Sequence, residues 1–515
     1  MQSSYPILIC GAGPTGLMLA AQLLRFHIDF VIIDTKSAPT KESRAVVVQA
    51  RSLEIYEQLG LANDILANGN TTSGLCFWRK GKRLSEVKLS DFGSDITPFN
   101  FVFMYEQSKN EALLYKYLQD HGKEVMWNTE LLFYEEKNNG YEIKLKTEEK
   151  EITIATQYLV ACDGARSKLR ELANVAFEGG TYQQVFYVAD THVAANVCAD
   201  KLNFFVTKNT FHLLFPLEGE ERFRAIGILP QQFYHQNKIS FEEVSQQVEN
   251  DAGMSLDFYN TQWYSTYRLH HKKVSTFNKG NLFFCGDAAH VHSPAGGQGM
   301  NTGLQDAYNL AWKLALVVSK KAKPLLLSTY HEERNPVAEH LLSSTDAMFN
   351  MMSKDSALSK LLRLYIFPFI LPVLMKLRRV RRKFFLTVSQ TEISYSSSVS
   401  LGKARKIKAG MRLPYLILSI DNEQQSVYRW LSVKNEAPFL VLFYNLSEEN
   451  LDANKGLSPV TIESNAFNQN VLTKAGFPSS FILLLRPDNY IGYIAEQYEK
   501  EKFNNYLNQN LQLIK

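Results

Sequence analysis

The sequence predicts an α/β protein: a Rossmann-like domain interrupted by an inserted β-sheet domain, then a helical bridge and a C-terminal α/β unit. Three observations lead there. The apolar run Pro6-Ile7-Leu8-Ile9-Cys10 enters Gly11-Ala12-Gly13-Pro14-Thr15-Gly16 and continues into apolar helical spacing over residues 17–26. Residues 176–274 break from that pattern into short strands and turns. Leu282-Phe283-Phe284-Cys285 then restores the parallel-strand pattern, and helical spacing dominates to about residue 390.

The first motif specifies a ligand chemistry. Gly11 permits the tight turn, Gly13 lets backbone approach a pyrophosphate, and Gly16 lets the helix pack close to the strand. The helix N-terminus offers amides to phosphate. A second strand, residues 30–33, ends at Asp34, 18 residues after Gly16, where an acid meets a ribose hydroxyl. A helix is predicted over residues 46–59, stopped by Gly60. Short alternating strands follow from 74 to 98, a strand over 101–104 and a helix over 106–120, with Leu113, Leu114, Tyr117 and Leu118 on its buried side. The strand at 158–162 delivers Asp163-Gly164-Ala165-Arg166-Ser167. The strand ending at Cys285 delivers Gly286-Asp287-Ala288-Ala289-His290, and a long helix is predicted over 301–319. Residues 396–400 read as a linker, and the last 115 residues as a separate α/β unit with strands at 439–443 and 481–485 and a helix over 496–511.

Composition narrows the classes. The chain has 515 residues, too many for one core, with 45% hydrophobic and 21% charged residues, as in a globular protein. A net charge of +4 is small for this length and gives no warrant for a nucleic-acid partner. Five cysteines lack C-x-x-C or metal-ligand spacing, and no export signal precedes the first strand, so a reducing, cytoplasmic setting is expected. His290 and His292 lack the carboxylate–histidine spacing of a metal site, and no metal is expected. The most apolar stretch, 365–375, carries Pro368 and Pro372 and is too short to span a bilayer. It reads as a packed bridging helix, a lid on an apolar cavity, or an interfacial contact, with the packed helix favoured over the membrane.

Taken together, the three motifs resemble the single-component FAD-dependent aromatic hydroxylases. Asp163 to Arg170 matches that family's D-G-x-x-S-x-x-R segment. The third stretch is the most specific, running from G-D-A-A-H through Ser293-Pro294-Ala295-Gly296-Gly297-Gln298-Gly299-Met300-Asn301 to Gly303-Leu304-Gln305-Asp306-Ala307. The resemblance implies FAD held by Gly11, Gly13, Thr15, Gly16, Asp34, Arg44, Gln107, Asp163, Asp287, Pro294, Gly297, Gly299, Met300 and Asn301. It implies NADPH or NADH and O2 as cosubstrates, hydride transfer to N5, and oxygen transfer from a C4a-hydroperoxyflavin to a phenolic or polycyclic aromatic ring. It divides the chain into an FAD-binding domain with helical extension (1–74, 100–175 and 275–390), a substrate-binding sheet domain (75–99 and 176–274), and a thioredoxin-like domain (400–515) that lacks C-x-x-C. A homodimer is among the allowed assemblies. The resemblance is strong over residues 1–390 and looser beyond, where the larger phenol, polyketide and rifampicin monooxygenases carry the thioredoxin-like domain.

No catalytic side chain is demanded, because the cofactor carries the chemistry. His212, Tyr187 and Tyr267 are the side chains that could ionise a phenol. Phe204, Phe211, Leu213, Phe215 and Phe223, with Pro294, are expected to wall the substrate. Baeyer–Villiger insertion, antibiotic-inactivating oxygenation and a flavin-binding sensor without turnover remain alternatives. The spacing excludes a dithiol reductase, and the five Trp residues are never two apart, which excludes the W-x-W-x-I-P halogenases.

Overall fold

A computed structural model describes residues 3–41, 45–89, 93–208, 210–236, 238–293, 296–353, 356–420, 423–428, 438–447, 451 and 456–514. Four parallel strands form the heart of the first sheet, in the spatial order Leu282–Phe284, Glu151–Ala161, Ser4–Cys10, Val31–Ile33. Val31–Ile33, Leu282–Phe284 and the carboxyl-terminal halves of Ser4–Cys10 and Glu151–Ala161 are buried, as a sheet covered on both faces requires. Cys10 lies in register with Ala161, and Ala161 with Phe284. The three motif segments therefore leave three adjacent strands side by side, at their carboxyl ends.

The helix Pro14–Arg25 packs back on this sheet against the long, nearly wholly buried helix Gly299–Val318. One expectation is corrected here. Residues 47–48 are a strand paired with Met104 and Phe103, and the helix begins only at Ala50 and runs to Gln58. Consecutive β-branched residues Val46, Val47 and Val48 favour the strand locally.

The second sheet has eight strands. Phe177–Val193 and Phe258–Val274 form a long antiparallel pair, and Arg222–Ile228, Phe211–Pro216 and Lys201–Val206 extend it. Gly74–Arg79 then joins in parallel to Lys201–Val206, with Lys82–Lys88 beyond it. The block is not strands alone. Phe241–Ala252 is a helix with a Ser240/Glu243 capping box and Gly253 in the left-handed conformation at its end (φ +68°). It covers one face of the sheet through Val244, Val248 and Ala252, while the other face meets the first domain.

The C-terminal sheet has the order Leu457–Ile462, Phe439–Tyr444, Phe481–Leu485, Ile491–Ala495, with the first two strands parallel. It is not a separate body: Phe439, Val441, Phe443, Ile482 and Leu484 belong to the same continuous core as the first domain. Nor do residues 396–400 behave as a loose linker. Val399 is fully buried, the Ser397 hydroxyl donates to Glu333 (2.7 Å), and the Ser398 amide donates to Glu332 (3.0 Å). The closing helix is shorter than expected, Lys500–Asn505 followed by a wide turn to Asn510. Among the described residues no single helix is long and apolar enough to cross a membrane.

Candidate functional site

A crevice outside the carboxyl ends of parallel strands is where α/β sheets bind ligands. Here Gly11, with φ +105°, brings its backbone against the neighbouring strand: a side chain would sit 2.3 Å from the Cys162 carbonyl. Gly16 is equally constrained, its missing Cβ falling 1.9 Å from the Gly11 carbonyl. Gly13 is different. A Cβ there would meet nothing within 4 Å, and the helix that Gly13 precedes has no side-chain cap. Its first-turn amides are thus open to an anion at a place where only a small residue leaves room.

The helix Gly299–Val318 also starts without a side-chain cap. Thr15 is wedged between Gly286 and Gly303, the latter within this helix, with its hydroxyl 2.5 Å from a Cβ placed on Gly286 and 2.4 Å from one on Gly303. Asp306 secures the same junction. Its carboxylate accepts from the Gly286 amide (3.0 Å), His290 Nε2 (2.7 Å) and Arg334 Nε (2.6 Å), all buried. Burial opposes its charge, but Arg334 and His290 prevail and hold the carboxyl below its ordinary value.

Asp34 accepts from the Ala12 amide (2.6 Å) and the Lys36 amide (2.8 Å), so its carboxylate braces the glycine loop. Asp163 accepts from the Leu169 amide (3.2 Å), while its Oδ1 is buried without a hydrogen-bond partner. Burial pushes its carboxyl above the ordinary value, with Ser167 and the Leu169 amide working against that rise. Asp287 is exposed in the short turn Gly286–Ala288. His292 is half-buried, and its imidazole is pushed down to about 4 by desolvation and by His290, so it is neutral at pH 7. Its Nδ1 donates to the Ser293 carbonyl (2.7 Å), which leaves Nε2 a buried, unpartnered acceptor. Among the described residues no cluster could hold a metal ion.

Some expected contacts are reassigned. The Asn301 side chain does not reach the crevice. Its Oδ1 accepts from the Gln49 amide (2.8 Å) and Ser52 (2.7 Å), and its Nδ2 donates to Val47 (2.9 Å) and Gly297 (2.8 Å). It is a buried clamp that shapes the loop before the helix. Met300 is partly buried in the first helical turn. Gly297 lies against Val47, where a Cβ would come within 2.9 Å, and Gly299 lies beside His292. Gln107 accepts from the Ala45 amide (3.3 Å) and donates to Glu111 (3.0 Å), which braces the chain next to Arg44. Arg44 and Pro294 lie outside the described residues.

Strand alternation sorts the sheet residues. Phe204, Phe211 and Leu213 face the first domain, and Phe215 packs with Val46, Val47 and Met104. Phe223 is on the opposite face, in the cluster under the Phe241–Ala252 helix, and cannot wall the crevice. His212 and Tyr187 share that far face. His212 is fully buried and contacts the Tyr187 hydroxyl (3.0 Å) and Asp251 (3.0 Å), so both are structural. Tyr267 pairs with Phe186, lies among Phe186, Phe211 and Phe349, and remains on the near side.

Two residues of consequence escaped the sequence reading. Arg224 is fully buried, donates to both oxygens of Asp190 (2.7 Å each), and reaches the Ala45 carbonyl (3.0 Å). It ties the sheet to the segment carrying Arg44. A lone Asp in the apolar run Val185–Val193 and a lone Arg between Phe223 and Ala225 were the only signals.

Two open helix starts, glycine-lined backbone and unsatisfied buried acceptors fit an elongated, polar-tailed ligand carrying a flat ring, the shape of a flavin dinucleotide. These features define a flavoprotein of the doubly wound class. The family model described as FAD binding domain matches residues 4–345. The chain is 33% identical over 356 residues to pentachlorophenol 4-monooxygenase of Sphingobium chlorophenolicum, covering 67% of this chain and 64% of that protein. It is 28% identical over 508 residues to an uncharacterized aromatic compound monooxygenase of Bacillus subtilis, covering 96% and 95%. Its fold is similar to that of an aromatic hydroxylase from angucycline biosynthesis (TM-score 0.78, 26% identity, 99% and 100% of the two chains). The chain belongs to the FAD binding domain family of flavoprotein monooxygenases, and FAD is its cofactor.

Proposed function

We propose that this protein is an NAD(P)H-consuming hydroxylase of a phenolic or polycyclic aromatic substrate. One observation carries the reading: the three glycine-bearing motif segments leave adjacent strand ends, and the inserted sheet packs a face bearing Phe211, Leu213 and Phe215 against that same domain. When bound, FAD supplies the oxygen activation that no amino-acid side chain can provide.

The chain's own residues bind, orient and exclude water. The amides after Gly13 hold the diphosphate, and Asp34, Asp163 and Asp287 hold the hydroxyls of the ribose and ribityl chain. The uncapped start of the Gly299–Val318 helix would offer its amides and partial positive charge to the ring system. Phe204, Phe211, Leu213 and Phe215 offer an apolar wall to an aromatic ligand, and Tyr267 is the hydroxyl placed to meet it. The strand order of residues 439–495 supports a thioredoxin-like C-terminal domain. With no cysteine after Cys285, that domain serves packing rather than dithiol chemistry.

The test is NADPH oxidation and oxygen uptake by the purified yellow protein against a panel of phenols and polycyclic quinones. Substrate-stimulated uptake is expected, and Asp287→Ala should abolish it by emptying the flavin site. Stoichiometric flavin in that variant, or NADPH oxidation indifferent to every aromatic compound, would overturn the reading.

A further inference from the structure

Residues 356–391 contain eight basic residues and no acidic one, in a chain whose net charge is +4. They form the helical run Ala357–Leu361, Leu362–Ile366 and Phe367–Leu374, which turns by 108° into the helix Arg378–Val388. One face of the run is docked. Arg363 is buried and donates to the carbonyls of Thr207 (3.2 Å) and Lys208, Ser85 donates to the Pro368 carbonyl, and the Phe367 ring lies 5.5 Å from Phe77 and 6.3 Å from Phe204.

The other face is largely exposed, with Arg79 stacked over the Tyr365 ring (4.7 Å) as a further cation beside it. Leu361, Tyr365, Phe369, Ile370, Val373 and Leu377 recur mostly at three- and four-residue steps, and each is 46–60% exposed. This corrects the expectation of a packed bridging helix: only half of it is packed. An apolar stripe of this size on a solvated surface marks an interaction site. At its end stand Lys376, Arg378, Arg379 and Arg381, which form no ion pair with a carboxylate among the described residues; only Arg382 and Lys383 find one, in Asp95 and Glu392.

We propose that this surface docks the protein on an anionic lipid bilayer, the apolar stripe entering the interface and the basic helix lying on the headgroups. Charge selects this occupant. A second copy related by a two-fold axis would set one uncompensated basic cluster against another, whereas anionic headgroups complement it. Anchorage by Arg363 and Pro368, together with the bend, makes the segment lie on a bilayer rather than cross it. The docked face touches Phe204 on the near side of the sheet, so the lipid surface would adjoin the apolar wall of the crevice.

The experiment is flotation of the full-length, flavin-loaded protein with vesicles of phosphatidylcholine alone or of phosphatidylcholine mixed with phosphatidylglycerol. Flotation is expected only with the mixed vesicles, and it should weaken as salt screens the headgroups. Phe369→Ser/Val373→Ser and Arg378→Gln/Arg379→Gln should each lower the bound fraction about tenfold. The second pair leaves the apolar stripe intact and so separates lost attraction from lost fold. Absence of flotation with the mixed vesicles, undiminished flotation of both variants, or a solution dimer that Phe369→Ser/Val373→Ser dissociates would overturn the proposal. Flavin content and substrate-stimulated oxygen uptake, measured on the same samples, report on the proposed reaction independently.

Discussion

Gly13 and Gly16 stand three residues apart in one motif, yet physics gives them opposite roles. At Gly16 a methyl group would lie 1.9 Å from the Gly11 carbonyl, so Gly16→Ala must push helix from strand; loss of soluble, folded protein is expected on expression. At Gly13 a side chain meets no protein atom. Gly13→Val should lower urea-unfolding stability of the apoprotein by no more than about 1 kcal/mol, the cost of a poorer residue at the helix N-cap, while FAD affinity in a fluorescence titration falls by an order of magnitude or more. Asp306 offers a third contrast. Asp306→Asn leaves Arg334 and His290 buried with half a partner, a change that costs about 3–5 kcal/mol when a buried pair is broken. A lowered melting temperature and a lowered flavin-to-protein absorbance ratio should appear together, because the same carboxylate fixes the Gly286 turn. The sequence displayed Asp306 inside its most specific motif without revealing this task, since its partners Arg334 and His290 lie 28 and 16 residues away.

Elements were legible where a local period matched the final environment. The parallel strands at 4–10, 151–161 and 282–284 and the helix Gly299–Val318 are continuous or periodic apolar runs, and their order along the chain carried the crevice with it. What failed was facing. In Phe211–Pro216 and Arg222–Ile228 apolar residues occupy both faces, because one packs on the first domain and the other on the Phe241–Ala252 helix. Alternation alone could not say which face Phe223 or His212 takes, and neighbouring strands decided it. A consequence is measurable: His212→Gln should change stability yet leave the pH profile of kcat/KM unmoved, whereas Tyr267→Phe should shift that profile if its hydroxyl meets substrate. Steady-state kinetics across about pH 6–11, which spans the ordinary values of imidazole (about 6.5) and phenol (about 10), distinguishes them. The short strand Val47–Val48 was lost inside a longer apolar stretch, for it exists only through its pairing with Phe103 and Met104.

Across the whole molecule, the C-terminal unit is held to the flavin helix by buried charge. Arg486 donates to Glu333 (2.5 and 2.9 Å) and to Asp488 (2.6 Å), and Lys313 from the Gly299–Val318 helix joins Glu333 at 2.8 Å. Sequence separation of more than 150 residues hid this network, as it hid the shared core behind the apparent serine linker. Burial works against the Glu333 charge, but Arg486 and Lys313 win and hold its carboxyl far below the ordinary value of 4.5. A carboxyl depressed on folding contributes stability that is complete above its unfolded value and is lost as pH falls through the folded one. Acid unfolding should therefore set in below pH 4.5, and Glu333→Gln should flatten that limb while lowering stability at pH 7 by about 3 kcal/mol. All of this surrounds a single claim, that FAD lies across the carboxyl ends of the three adjacent parallel strands. A crystallographic difference map of the FAD-loaded protein tests it most directly. Diphosphate density is expected at the amides after Gly13 and ring density beside Gly297 and Gly299; a crevice empty of density in a crystal of yellow protein would contradict the claim.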